Sequence, residues 1–141
     1  YYLIAYQDEK KPVGIRHYRV DRMAGITVLD EPRRGKEQFA GFDLPAYLKK
    51  HFNMYGGDEY HVTLRCTADV EPAMRERFGS GPIFLPEGEK HFHFDVPICV
   101  SDQFYGWVCG FGGKVEITAP AKVREDLREM TARIAAAHQN V

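Results

Sequence analysis

A chain of 141 residues suits one ordinary domain or two small ones, and 44% apolar with 13% aromatic residues can build a packed core, which excludes wholesale disorder. No run approaches the ~18 consecutive apolar residues of a membrane span. A formal net charge of -1 is far from the strongly basic balance of a domain that grips duplex DNA over its whole surface. Residue 1 is Tyr, inside the apolar run Tyr1-Tyr2-Leu3-Ile4-Ala5-Tyr6, and nothing resembles a signal peptide, so the sequence reads as a piece of a longer protein.

In chain order, Tyr1–Tyr6 reads as a strand rich in aromatic and branched residues, and Asp8–Pro12 as a polar hairpin loop. Val13–Val20 reads as the second strand, its alternation continuing to Arg22. Arg16, Tyr18, Val20 and Arg22 fall on one face, and Ile15, His17, Arg19 and Asp21 on the other. Met23–Leu29 reads as a third short strand with Gly25 as a bend. The charged stretch from Asp30 to Lys36, with Pro32 and Gly35, reads as a turn or linker. Asp43–Phe52 reads as a short helix capped by Asp43 with Pro45 in its first turn, and Leu44, Leu48 and Phe52 on one face.

The second half alternates. Tyr60–Cys66 reads as a strand, Val70–Phe78 as a helix ended by Gly79, and Pro82–Leu85 and Lys90–Val96 as strands. Ser101 caps a helix whose Phe104, Trp107, Val108 and Phe111 share a face, and the glycines at 110, 112 and 113 end it. Phe104, Trp107 and Phe111 read as core, with Trp107 or Tyr105 as an alternative dimer contact. Lys114–Thr118 reads as a strand, and Pro120 leads into a long helix with Val123, Leu127, Met130 and Ile134 on its apolar stripe. Residues 60–118 therefore read βαββαβ, the ferredoxin-like order.

Charge is uneven along the chain. Residues 1–36 carry three more basic than acidic side chains, a local patch suited to a small anion or a short nucleic-acid segment. Cys66, Cys99 and Cys109 are an odd number without CxxC spacing, and read as small apolar residues in a reducing compartment. His91 and His93 flank Phe92 at a spacing that suits a metal, but no companion Cys, Asp or Glu lies at ligand spacing, so no metal is expected. There is no nucleophile elbow, Walker loop or HExxH, and Gly110-Phe111-Gly112-Gly113 lacks the rest of a dinucleotide fingerprint. Neither an enzyme nor a cofactor is expected.

The candidate site is the Arg-rich second strand. Arg16, Arg19 and Arg22 offer planar guanidinium forks that meet phosphate in a bidentate manner. Tyr2, Tyr6 and Tyr18 offer rings on which bases stack, and His17 lies between Arg16 and Tyr18. The competing reading is an Arg–Asp21 ion pair with the tyrosines packed into a core.

The same residues carry a family resemblance. Tyr1-Tyr2-Leu3-Ile4-Ala5-Tyr6 followed by Ile15-Arg16-His17-Tyr18-Arg19-Val20-Asp21-Arg22-Met23 resembles the WYL domain of bacterial transcriptional regulators, with Tyr1 for the usual Trp, Tyr18 for Phe and Met23 for Ile. Phe42-Asp43-Leu44 with Tyr47-Leu48, Trp107 with Gly110-Phe111-Gly112, and Pro120 before the last helix are similar to WCX, the extension that follows WYL domains. The resemblance implies a partial SH3/Sm-like β-barrel over residues 1–36, its first strands lying before residue 1. It implies a linker with a short helix over 37–57 and a ferredoxin-like WCX domain with a C-terminal helix over 58–141. It also implies a cytoplasmic, commonly dimeric regulator that reaches duplex DNA through a winged helix-turn-helix preceding this sequence. Its effector would be single-stranded nucleic acid or a nucleotide-like anion. The alternatives are an anionic metabolite at the same site, or a structural oligomerisation module with no ligand.

Overall fold

The computed structural model describes residues 1–139. It is a mixed α+β structure with two antiparallel sheets and four α-helices, and no closed barrel forms among the described residues. The first sheet has two strands, β1 (Tyr2–Gln7) and β2 (Gly14–Arg19). After them come α1 (Leu44–Lys50), β3 (Glu59–Thr67), α2 (Glu71–Phe78), β4 (Leu85–Glu87) and β5 (His91–Cys99). The chain ends with α3 (Asp102–Cys109), β6 (Val115–Ala119) and α4 (Ala121–Ala137). No described helix is long and apolar enough to cross a membrane.

The second sheet has the order β4-β5-β3-β6, antiparallel throughout. Period-two alternation sorts its side chains. Val62, Leu64 and Cys66 of β3, Phe92, Phe94, Val96 and Ile98 of β5, and Val115 and Ile117 of β6 face one side and are buried. Met74 and Phe78 of α2 and Phe104 and Val108 of α3 close over that face, and Val123 at the start of α4 completes the core. The opposite face is polar. Arg65 lies between Glu87 (3.0 Å) and Glu116 (3.3 Å), and the Thr63 hydroxyl donates to Asp95. Among the described residues no group of His, Cys, Asp and Glu converges as a metal site, His91 and His93 on this face included.

Several elements follow local chemistry. The Asp43 carboxylate accepts from the Ala46 N–H at 3.0 Å and starts α1, and Ser101 accepts from the Phe104 N–H at the start of α3. Gly79, at φ 70°, stops α2 in a conformation that a β-carbon opposes. Burial pushes the Cys66 thiol up to about 12 and also raises Cys99, so both behave as small apolar residues.

The structure corrects other expectations. Met23–Leu29 forms no strand, and Ile26, Val28 and Leu29 stand exposed, because no described edge pairs with their backbone groups. The second strand stops at Arg19, and Val20–Arg22 is a 3-10 turn. The strand expected at 82–85 lies at 85–87, where Pro86 is tolerated because β4 is an edge. Leu44 and Leu48 of α1 are exposed, and of the three residues expected on one face only Phe52 is buried. Cys109 is exposed rather than core. Tyr105 is buried with Phe104 and Val108.

Gly57 rests against β5's exit. A β-carbon there would lie 1.8 Å from the Val100 carbonyl oxygen, whereas at Gly56 it would meet nothing within 4 Å. Gly57→Ala is expected to cost about 1–3 kcal/mol, the usual range for forced overpacking. Urea unfolding of this variant beside Gly56→Ala, which should stay close to wild type, measures the difference.

Candidate functional site: a cleft along the free edge of β2

The register of the first sheet decides which side chains meet. Tyr2 lies opposite Arg19, Ile4 opposite His17 and Tyr6 opposite Ile15, so these six share one face. Leu3 with Tyr18 and Ala5 with Arg16 share the other. Arg16 and Tyr18 are thus together, as the alternation predicts, and so are Tyr2 and Tyr6, but the two pairs sit on opposite faces of the hairpin. Tyr2 is instead the cross-strand neighbour of Arg19.

Backbone phase adds a second set of groups. The Val20 N–H donates to the Tyr1 carbonyl at 3.1 Å. That phase commits the even-numbered residues of β2 to β1 and turns the N–H and C=O of Ile15, His17 and Arg19 outward. This outer edge forms one wall of a cleft of about 780 Å³. Tyr2, Arg16, His17, Tyr18, Arg19 and Arg22 all line it. Tyr6 does not. It lies under Gly35, whose β-carbon would sit 2.8 Å from the Tyr6 ring, and faces a separate hollow beside Arg33 and Arg34.

The three arginines are held differently. Arg19 forms a two-bond clasp with Asp21, at 3.1 and 2.6 Å, and each partner steadies the charge of the other, raising the guanidinium and lowering the carboxylate. Arg16 donates to the Pro12 carbonyl. The Arg22 guanidinium has no hydrogen-bond or ion-pair partner among the described residues. The 3-10 turn, not the strand, sets its direction.

His17 is a wall rather than a free ligand contact. Its Nδ1–H donates to the Met54 carbonyl, which can only accept, so in the neutral ring Nε2 accepts from the Tyr47 hydroxyl at 2.6 Å. Tyr47 stacks on His51 with ring centres 4.0 Å apart, and the His51 Nδ1–H donates back to the Tyr47 carbonyl at 2.7 Å. Burial lowers the His51 pKa first of all, and the nearby His17 lowers it further, against the raising effect of that hydrogen bond. Burial raises Tyr47 in the same way.

The far wall is residues 53–57, a stretch whose sequence reads as linker. Asn53 and Met54 both have positive φ (50° and 62°), and the Tyr55 N–H donates to the Phe52 carbonyl at 3.0 Å, which closes a tight turn. Such turns usually advertise themselves by Asn-Gly. Here Met54 holds the second position, so the only signal was Asn53. The Asn53 amide donates to Gln103 at 2.9 Å, and Tyr55 stands half-exposed at the mouth. The cleft therefore joins three guanidinium groups, exposed tyrosine rings and an unpaired strand edge, a surface that suits a planar anion.

The region from β3 into α4 matches a family model, that of the WCX domain, over residues 58–135. The match covers more than half of the chain, which belongs to the WCX domain family. No curated protein matches it.

The His51 environment gives a pH dependence with a definite sign. Above the ordinary imidazole value of about 6.5, folded and unfolded chains are both neutral at this position. Below it the unfolded chain takes up a proton that folded His51 resists, so stability falls as pH drops from about 6.5 toward the depressed folded value and levels off below that value. Thermal melts should be flat at this site from pH 8 to 7 and fall toward pH 5.5. His51→Gln, which keeps an N–H donor for the Tyr47 carbonyl, should flatten that slope. An unchanged slope would place the titrating group elsewhere.

Proposed function

We propose that this chain is the effector-sensing and dimerisation region of a cytoplasmic bacterial helix-turn-helix regulator. It acts as a binding module, not an enzyme, and its effector is single-stranded nucleic acid or a nucleotide-like anion held in the β2 cleft. The WYL-like reading of residues 1–36 rests on their sequence motif. The strand order β4-β5-β3-β6 around a βαββαβ chain supports the ferredoxin-like reading of the WCX part. Family membership supports the regulator reading, because WCX domains accompany WYL-type regulators.

The observation that carries the ligand assignment is the unpartnered Arg22 beside Arg16 and Arg19 in a cleft lined by Tyr2, Tyr18 and Tyr55. Guanidinium groups supply phosphate contacts, tyrosine rings supply stacking, and the outward N–H and C=O groups of β2 supply donors and acceptors for base edges. The Arg19–Asp21 clasp is solvent-exposed, so exchanging the carboxylate for a phosphate costs little. Reorientation of the hairpin against the 53–57 turn would then carry ligand occupancy to the DNA-binding part of a longer chain.

One observation favours the ligand-free oligomerisation reading: Ile26, Val28 and Leu29 are exposed beside a two-stranded sheet with open edges. Fluorescence anisotropy with a short labelled single strand separates the readings. Binding should weaken with salt with a log–log slope of about -2 if three phosphates are contacted. The Arg16→Ala/Arg19→Ala/Arg22→Ala protein should lose most of the affinity. Thermal shifts with nucleotides and small anionic metabolites identify the effector class. Equal binding by the triple variant, or a dimer in sedimentation that no anion stabilises, would overturn the ligand assignment.

A further inference from the structure

A second cleft, of about 220 Å³, lies between α3 and α4 and shares no residue with the β2 site. Asp102 and Tyr105 of α3 line it from one side. Asp126, Glu129, Met130 and Arg133 of α4, at helical spacing, line it from the other. Three carboxylates thus face one guanidinium. Asp126 is taken by Lys122 of the same helix, whereas Asp102, Glu129 and Arg133 have no ion-pair partner among the described residues.

Tyr105 supplies the observation that points to a ligand. Its side chain is 5% exposed, and its hydroxyl is buried with no hydrogen-bond partner among the described residues. A buried hydroxyl without a partner loses its hydration and gains nothing in return, so such groups normally find one. Burial, with Asp126, Tyr60 and Asp102 near enough to add to it, pushes the phenol up to about 12, so the hydroxyl keeps its proton at physiological pH. A neutral oxygen with free lone pairs in a negative field is a ready acceptor for a cationic N–H donor.

We propose that the α3–α4 cleft binds an alkylammonium or alkylguanidinium group, with Asp102 and Glu129 supplying the opposing charge and the Tyr105 hydroxyl accepting one of its hydrogen bonds. A bare metal ion does not fit, because among the described residues the acidic groups do not converge as a metal site. An organic cation with several N–H donors spreads over separated acceptors instead, while Met130 and the Tyr105 ring cover its alkyl stem. Arg133 opposes a second positive charge and selects for a guest with one. The same head group occurs on a free amine and on a basic side chain of a peptide.

NMR titration of the 141-residue chain with n-butylammonium, n-butylguanidinium and Nα-acetyl-arginine-N-methylamide tests this. Saturable shifts at the amides of Tyr105, Glu129 and Met130 are expected, weakening as salt is added. Tyr105→Phe, which keeps the ring and the packing, should bind about tenfold more weakly, the usual worth of a hydrogen bond to a charged group. Asp102→Asn/Glu129→Gln should abolish saturation, and Arg133→Gln should tighten it. Tighter binding of the arginine derivative than of n-butylguanidinium assigns the guest to a peptide, and the reverse assigns it to a small free cation. Absence of saturation with all three probes overturns the proposal. So does equal affinity in Tyr105→Phe, which would leave the hydroxyl to a buried water.

Discussion

Phe52 joins the hairpin cleft to the main core. Its ring is buried 5.2 Å from that of Phe104 and 5.1 Å from that of Trp107, and the Arg77 guanidinium sits 4.2 Å above it. The same guanidinium donates to the His51 carbonyl at 2.8 Å. Burying a phenylalanine side chain contributes about 1.5–3 kcal/mol, and a desolvated cation over its face adds to that. From this anchor the geometry passes outward in short steps. Phe52 begins the turn that presents the Met54 carbonyl, that carbonyl accepts from His17, and His17 belongs to β2. The free edge of β2 is therefore referenced to α2 and α3 through a few polar and aromatic contacts rather than through a broad apolar interface.

Availability, not number, distinguishes the basic groups of this protein. Arg65 is held between Glu87 and Glu116 on the outer face of the large sheet, and Arg77 is spent on Phe52 and His51, with burial lowering its pKa. Neither can serve an incoming anion without leaving a partner unsatisfied. Arg16 and Arg19, by contrast, are engaged through exposed contacts that water can replace, and Arg22 is uncommitted among the described residues. The excess positive charge of the first 36 residues thus lies where the side chains are free to act, whereas Arg65 and Arg77 in the slightly negative remainder are closed upon partners of their own.

Much of the larger sheet was legible because burial there is one-sided. Val62, Leu64 and Cys66 alternate with polar residues, and Ser101 and Asp43 are strong caps, so strands and helix starts could be placed from local chemistry. The hairpin was legible as two strands but not in its facing. Alternation tells which residues of one strand share a side, while the cross-strand register that sets Tyr2 against Arg19 depends on how residues 8–13 turn. Residues 23–29 have strand-forming side chains, yet a strand exists only with a partner edge, which propensity does not supply. The far wall of the cleft was missed for a related reason: its turn carries Met54 where glycine is the usual marker, and its position depends on Phe52 reaching Trp107, 55 residues away in sequence.

The two sheets differ in how they guard their borders. On the large sheet β4 is only three residues long and carries Pro86, which lacks an N–H, so that border offers a poor template for a further strand. The β1–β2 ribbon has no such guard. Its outward backbone groups at Ile15, His17 and Arg19 alternate with those committed to β1, and it carries no proline within either strand. Crowding the protein to high concentration would therefore act on the ribbon's border more than on the border at β4. Ordered self-stacking at the ribbon would grow in the direction of its open hydrogen bonds, and an occupied cleft would act as a stopper against it.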